Sequence, residues 1–283
     1  MYTKIILGTV QFGLDYGINN KTGRLTEKQI FELLDEAAKL GIETLDTSSL
    51  YGNSEKIIGN YNWRNPSFNI NTKFAVDENS TIQKQVDKAL NILQTDSINC
   101  LFFHRFDDLT EDSFGEMKNL QAKGIINEIG VSVYSNNEII EAVRYGPDMI
   151  QFPFNMLDNF NQRKDAMETS SVAGVRNQVR SAFLQGLFFM KPNQLPEKLT
   201  PLQKHLVQLQ QMCEQQNISM ENMALSYCFS QPLIDEVVIG VDSIAQLRNN
   251  FEALEEPIST ELKKTIDNID VSETNLLSPV NWK

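Results

Sequence analysis

An unbroken alternation of strand-like and helix-like segments constrains this 283-residue sequence more than any other feature. Short apolar runs of strand character end at Leu7, Asp46, Phe74, His104, Ser132, Phe152, Arg180 and Gly240, and helical stretches lie between them. Thr26-Glu27-Lys28-Gln29 has the form of a capping box, in which hydroxyl and amide satisfy orphan N–H groups. Ile30, Leu33, Leu34, Ala37 and Ala38 then recur at helical spacing until Gly41 stops the helix. Ile82, Val86, Ala89 and Leu93 mark another helix. Ser135-Asn136-Asn137-Glu138 opens a third, followed by Ile139, Ala142 and Val143. Ser243-Ile244-Ala245-Gln246 opens one more, with Leu247, Phe251 and Leu254 on its apolar side. A last helix is expected near Ser259–Ile269, and Lys191–Pro201 reads as a loop.

Eight such units can close into a barrel or stay open as a doubly wound sheet. The open dinucleotide fold requires a GxGxxG turn after its first strand, whereas this chain reads Gly8-Thr9-Val10-Gln11-Phe12-Gly13 there. The expected fold is therefore α/β, a (β/α)8 TIM barrel. It is read as a single domain over residues 1–283, with a C-terminal helix and tail from about residue 256. No linker, low-complexity tract or internal repeat interrupts it.

Composition narrows the function. The net charge is −12, from 37 acidic and 25 basic residues, which disfavours nucleic acid as a partner. No apolar run is long enough to cross a membrane, and the N-terminal MYTKIILGTVQFG reads as a first strand, not a signal peptide. Three cysteines, Cys100, Cys213 and Cys228, lack metal-like spacing and suit a reducing cytoplasm. Only two histidines are present, so no metal site is expected. His205 sits in a Gln-rich helical stretch from Gln203 to Gln216 and reads as solvated.

Barrel chemistry is built at the C-terminal ends of strands. Asp46 ends the second strand, Tyr51 follows in its loop, Lys73 lies near the end of the third strand and His104 ends the fourth. Neighbouring strands are about 4.8 Å apart, so these side chains can converge at the mouth. A carbonyl that accepts hydride becomes an alkoxide and needs a proton. A free Tyr, with a pKa of roughly 10, is a slow acid at neutral pH. An adjacent ammonium from Lys73 would lower that pKa, Asp46 would hold Lys73, and His104 would orient the carbonyl oxygen. Each residue has a bland reading as a cap, a snorkelling cation or a satisfied polar group. Their joint placement on consecutive strands favours chemistry.

The runs Leu45-Asp46-Thr47-Ser48-Ser49-Leu50-Tyr51-Gly52, Thr72-Lys73 and Phe103-His104-Arg105 resemble the catalytic tetrad motifs of the aldo-keto reductase superfamily. The similarity continues through Ile129-Gly130-Val131-Ser132, Gln151-Phe152-Pro153-Phe154-Asn155 and Val238-Ile239-Gly240. It implies a barrel that binds NADP(H), less often NAD(H), and reduces a small-molecule carbonyl. It places Thr9 beside the nicotinamide, and Ser132 and Gln151 on its carboxamide. Val133 stands where relatives carry a second carboxamide partner, an Asn. Arg180, Ser181 and Phe183 match the segment after the seventh strand, where the Arg180 guanidinium stands for an aromatic stacking residue.

At the adenosine end the resemblance points to Gly240, Asp242, Ser243, Gln246 and Asn250, on a helix start that can offer N–H groups to an anion. Positions that are basic in NADP-selective relatives are Gly240, Asp242 and Gln246 here. That implies weakened NADP preference, with dual or NAD-preferring use, unless Arg248 reaches back. The start motif Gly8–Gly17 is similar to that of bacterial members acting in sugar metabolism, so a sugar-derived aldehyde or ketone is the expected substrate class. Trp282 is expected to close one side of the pocket or to pack on the barrel. The alternative function is a nucleotide-binding sensor of the same fold with little turnover. The oligomeric state has no signature in the sequence.

Overall fold

The computed structural model describes residues 4–20, 23–65, 68–77 and 79–282. Residues 1–3 of the expected first strand and Lys283 of the tail lie outside the described residues. Strands β1 (Ile5–Gly8), β2 (Thr44–Asp46), β3 (Asn69–Phe74), β4 (Ile98–Phe103), β5 (Ile126–Ser132), β6 (Met149–Pro153), β7 (Arg176–Arg180) and β8 (Glu236–Gly240) are all parallel and close in sequential order into a barrel. The strand ends expected at Asp46, Phe74, Ser132, Arg180 and Gly240 are the observed ends. His104 falls one residue beyond β4.

The helices are α1 (Val10–Gly13), α2 (Glu27–Lys39), α3 (Ser54–Asn62), α4 (Ile82–Leu93), α5 (Glu111–Ala122), α6 (Asn136–Val143), α7 (Phe160–Val172), α8 (Gln203–Gln216), α9 (Met220–Phe229), α10 (Ile244–Glu252) and α11 (Thr260–Asp267). Local chemistry sets their ends. Thr26 and Gln29 form the capping box of α2, and Gly41 takes a φ of +82° just past its end. Ser135 and Glu138 cap α6 in the same way, and Ser259 caps α11. No helix among the described residues is long and apolar enough to cross a membrane.

Two sequence expectations change. Lys191–Pro201 is not an unstructured loop: Pro192–Gln194 and Glu197–Leu202 form 3-10 turns, which bury Leu199 and Leu202. His205 is not solvated. It lies on the buried side of α8 with Leu206, Leu209 and Met212, and its Nε2 has no hydrogen-bond partner among the described residues. The polar composition of that stretch hid an apolar stripe that packs on the barrel.

The barrel divides its strand residues by parity. Leu101 and Phe103 point out into the large core beneath the helices, whereas Cys100, Phe102 and Met149 form a separate cluster. Phe102 lies against Gly130, where a Cβ would come within 2.3 Å of its ring. Polar side chains, among them Asp46, Lys73, Gln151 and Gln178, are buried as deeply as this apolar cluster.

The turn that carries Tyr51 is seated by two glycines. A Cβ on Gly13 would lie 1.7 Å from the Tyr51 carbonyl oxygen, and one on Gly52 would lie 2.5 Å from the Gly13 carbonyl oxygen. Gly52 also has a φ of +57°. Helix α1 and the Tyr51 turn thus approach closer than any larger residue permits. Gly13→Ala is expected to lower stability by about 1–3 kcal/mol in urea unfolding. Unchanged stability would contradict this packing.

Candidate active site

One cavity of about 950 Å³ opens at the C-terminal ends of the strands. Asp46, Tyr51, Lys73 and His104 all line it, so the structure brings the four predicted residues together. Lys73 is 1% exposed and Asp46 is 3% exposed. The Lys73 ammonium donates to Asp46 Oδ1 and, at 3.2 Å, to the Thr47 carbonyl. Burial pushes the Lys73 pKa down, and the Asp46 carboxylate opposes that shift. Tyr51 stands above this pair, with the Lys73 Nζ 5.5 Å from its ring centre.

The Tyr51 pKa departs from the sequence expectation. Burial pushes it up, the Asp46 charge adds to the rise, and Arg180 opposes it. Burial and the Asp46 charge together outweigh the pull of the Lys73 ammonium, so the net shift is upward. Tyr51 is therefore held as a neutral phenol. The chain supplies a protonated hydroxyl at this point of the wall, not a phenolate.

His104 is held by a residue the sequence reading passed over. Its Nδ1 is 2.7 Å from the Ser48 hydroxyl oxygen. The Lys73 carbonyl lies 3.2 Å from the same hydroxyl, but it also accepts the Ser49 N–H at 3.0 Å and the Ser49 hydroxyl at 3.2 Å. With Ser49 already on the two lone pairs of the Lys73 carbonyl, the Ser48 proton is expected on the nearer acceptor, His104 Nδ1. The Ser48 oxygen accepts from Leu50 N–H at 3.1 Å. His104 then carries its own proton on Nε2. Its ring stands edge-on to Tyr51, with centres 5.9 Å apart. Burial, Lys73 and Arg180 push the His104 pKa down to about 4, so the imidazole is neutral above that pH.

The predicted cofactor residues divide. Thr9, Ser132, Gln151, Arg180, Ser181, Phe183, Gly240, Asp242, Gln246 and Asn250 line the same cavity. Ser243 does not: its hydroxyl caps α10 by accepting Gln246 N–H at 3.1 Å, which is the bland reading of that residue. The Gln246 amide oxygen accepts Asp242 N–H at 2.7 Å, so this helix start spends part of its donor capacity on itself. Arg248 does not reach back. It donates to Glu36 at 2.7 Å and is not among the residues that line the cavity.

Arg180 makes no ion pair among the described residues. It donates to the Val133 carbonyl at 3.3 Å and lies over the Tyr134 ring at 4.5 Å. Val133 thus meets Arg180 through its backbone oxygen. Trp282 lines the cavity and donates its indole N–H to the Leu276 carbonyl at 2.7 Å.

Several lining residues had no signal in the sequence. Gln11 lies against Gly240, where a Cβ would come within 2.5 Å of its amide nitrogen, and the Gln11 Oε1 is buried without a partner among the described residues. Tyr16 accepts a hydrogen bond from Gln185 at 2.8 Å. Glu221 joins Asp242 among the acidic residues of the lining. These residues come from segments far apart in the sequence, and only closure of the barrel places them together.

The His104 geometry is open to direct measurement. Long-range 1H–15N correlation on the free protein is expected to show the Nε2–H tautomer and a titration midpoint near 4, not the ordinary value of about 6.5. Ser48→Ala should populate both tautomers. An Nδ1–H tautomer in the unmodified protein would contradict the hydrogen-bond accounting.

Comparison with known proteins agrees with this geometry. The sequence profile of the Aldo/keto reductase family matches residues 4–271. The uncharacterized oxidoreductase YqkF of Bacillus subtilis is 28% identical over 257 residues, covering 81% of this chain and 83% of that protein. A second uncharacterized oxidoreductase of the same organism, YrpG, is 23% identical and covers 94% of this chain and 92% of its own length. Among solved structures, the holo form of the aldo-keto reductase AKR11C1 from Bacillus halodurans superposes with a TM-score of 0.75 at 22% identity, covering 96% of this chain and 95% of that one. With the barrel closed and the motif residues gathered at one mouth, the chain belongs to the aldo/keto reductase family.

Proposed function

We propose that this protein reduces a small aldehyde or ketone, sugar-derived carbonyls included, with a nicotinamide cofactor and with NADH preferred. The observation that carries the reading is the buried Lys73–Asp46 pair beneath a neutral Tyr51, beside a neutral His104, in the wall of one cavity. A nucleotide-binding sensor would have no use for a protonated phenol above a buried ion pair.

The residues present fit such a cofactor. Gln151 and Gln11 line the cavity, and each leaves a buried amide oxygen without a partner. Gln151, Ser132 and Thr9 would hold the nicotinamide end, and Arg180, braced on Tyr134, offers a planar face beside them. Gly240, Asp242, Gln246 and Asn250 would hold the adenosine end. The bound nicotinamide supplies a hydride to the carbonyl carbon.

The chain's own residues act at the carbonyl oxygen. His104 Nε2–H donates a hydrogen bond that orients it. The Tyr51 hydroxyl gives it a proton as negative charge develops. An alkoxide is a stronger base than a phenolate, so the transfer runs downhill even from a phenol of raised pKa. The phenolate left behind is stabilised by the Lys73 ammonium, whose charge then has a second anion to serve.

The preference for NADH rests on the charges of the adenosine end. Asp242 and Glu221 line the cavity there, Arg248 is tied to Glu36, and the cationic lining residues are Lys73 and Arg180. A carboxylate accepts a hydrogen bond from a ribose 2′-hydroxyl and repels a 2′-phosphate. Titration of intrinsic fluorescence is expected to give NADH a Kd at least about tenfold below that of NADPH, with Asp242→Asn narrowing the gap. A preference for NADPH would overturn the cofactor assignment. Binding of neither would overturn the proposed function.

A further inference from the structure

The cavity wall holds a cation with no counter-charge among the described residues. Lys73 and Arg180 are the cationic side chains of the described lining, beside four carboxylates, Asp15, Asp46, Glu221 and Asp242. Lys73 is bound to Asp46. Arg180, at the end of β7, has no ion pair, and among the described residues its guanidinium donates to one acceptor, the Val133 carbonyl. A guanidinium carries five N–H donors in a fixed fork, so most of its donor capacity is unspent. The Tyr134 ring, 4.5 Å from the guanidinium carbon, supports the group where it stands.

Arg180 stands close to the reacting groups. Its positive charge acts on Tyr51, His104, Lys73 and Tyr16, in each case toward a lower pKa. Tyr16 lines the cavity too. Its oxygen accepts from the Gln185 amide at 2.8 Å, and its own O–H proton has no acceptor among the described residues. Burial pushes the Tyr16 pKa up, so the hydroxyl is a neutral donor.

The cofactor ring does not supply the missing anion, since nicotinamide is uncharged when reduced and cationic when oxidised. A net charge of −12 and the acidic lining repel anions in general, so an anionic group is drawn only by a local donor. One carboxylate matches one guanidinium in charge, and its two oxygens accept a pair of N–H groups side by side. A phosphate dianion would leave an unmatched negative charge among the lining carboxylates.

We propose that Arg180, with the Tyr16 hydroxyl, selects a carbonyl substrate that bears a carboxylate: an aldehyde or keto acid whose carbonyl meets Tyr51 and His104 while its carboxylate is held by the guanidinium. This rests on the proposed function above and narrows its substrate class. The carboxylate is a handle that is unchanged by the reaction. Hydride and proton both go to the carbonyl.

The test compares kcat/KM with NADH for two matched pairs, 4-carboxybenzaldehyde with its methyl ester and succinic semialdehyde with its methyl ester. The unmodified protein is expected to favour the acid in at least one pair by about tenfold or more. Arg180→Met should bring that ratio to about one or below, and Arg180→Lys should keep part of it. Tyr16→Phe should lower it by about three- to tenfold. Fluorescence titration with ADP-ribose, the cofactor without its ring, reports on folding and on the diphosphate in the same samples. Its Kd should change by less than about twofold in each variant.

Esters reduced as well as acids in both pairs by the unmodified protein would overturn the proposal without reference to any variant. So would an Arg180→Met protein that keeps the preference for the acid. Loss of ADP-ribose binding in step with the preference would overturn it as well, by assigning the arginine to the cofactor diphosphate. Reduction of none of the four aldehydes would instead overturn the proposed function.

Discussion

The ion pair between Lys73 and Asp46 is the interaction around which this barrel mouth is built. Removing both charges from water carries a desolvation cost of several kcal/mol per ion, which only close geometry and further hydrogen bonds offset. Those bonds are present. Asp46 has Lys73 on one oxygen and the Gln151 amide on the other, and Lys73 also donates to the Thr47 carbonyl. Loss of one partner would strand a buried charge, at about 3–5 kcal/mol. The arrangement is thus a poor choice for stability alone and a suitable one for holding an ammonium beneath a phenol. It also bears on why the resting Tyr51 is not acidified: burial and the charge of Asp46, the partner of the ammonium, both raise the phenol pKa.

The surrounding architecture serves that constraint. Short strands β2 and β3 place Asp46 and Lys73 side by side, since Asp46 is in register with Asn71 two residues before Lys73. Close glycine packing sets the Tyr51 turn against α1. Ser48, one turn of backbone away, carries the imidazole of His104. Asp242 and Glu221 also line the cavity, and Arg248 is drawn off to Glu36.

Much of this was legible in the sequence, for physical reasons. Strand ends and helix starts are local events, written in apolar runs and in caps such as Thr26–Gln29 and Ser135–Glu138. Residues at the ends of consecutive strands must share one rim, so Asp46, Lys73 and His104 could be grouped before any coordinates. What could not be read depends on contacts across the barrel. The direction of the Tyr51 pKa turns on its burial and on the Asp46 charge beside it. In the sequence Ser48 is one more polar residue of a turn, and Glu221 belongs to a helix distant from the strand ends. Ser243 and Arg248 show the converse, since nearby partners claimed both. His205 was misread because composition was weighed above the helical stripe that carries it.

The central claim is that Tyr51, above the Lys73–Asp46 pair, is the proton donor for carbonyl reduction. The most direct measurement is single-turnover reduction of a simple aromatic aldehyde by NADH-loaded protein, comparing the unmodified chain with Tyr51→Phe and reading NADH affinity on the same samples. The account predicts that the rate of hydride transfer falls by about 10²–10⁴, while the Kd for NADH changes by less than about twofold. A Tyr51→Phe protein that reduces the aldehyde at the unmodified rate would contradict it.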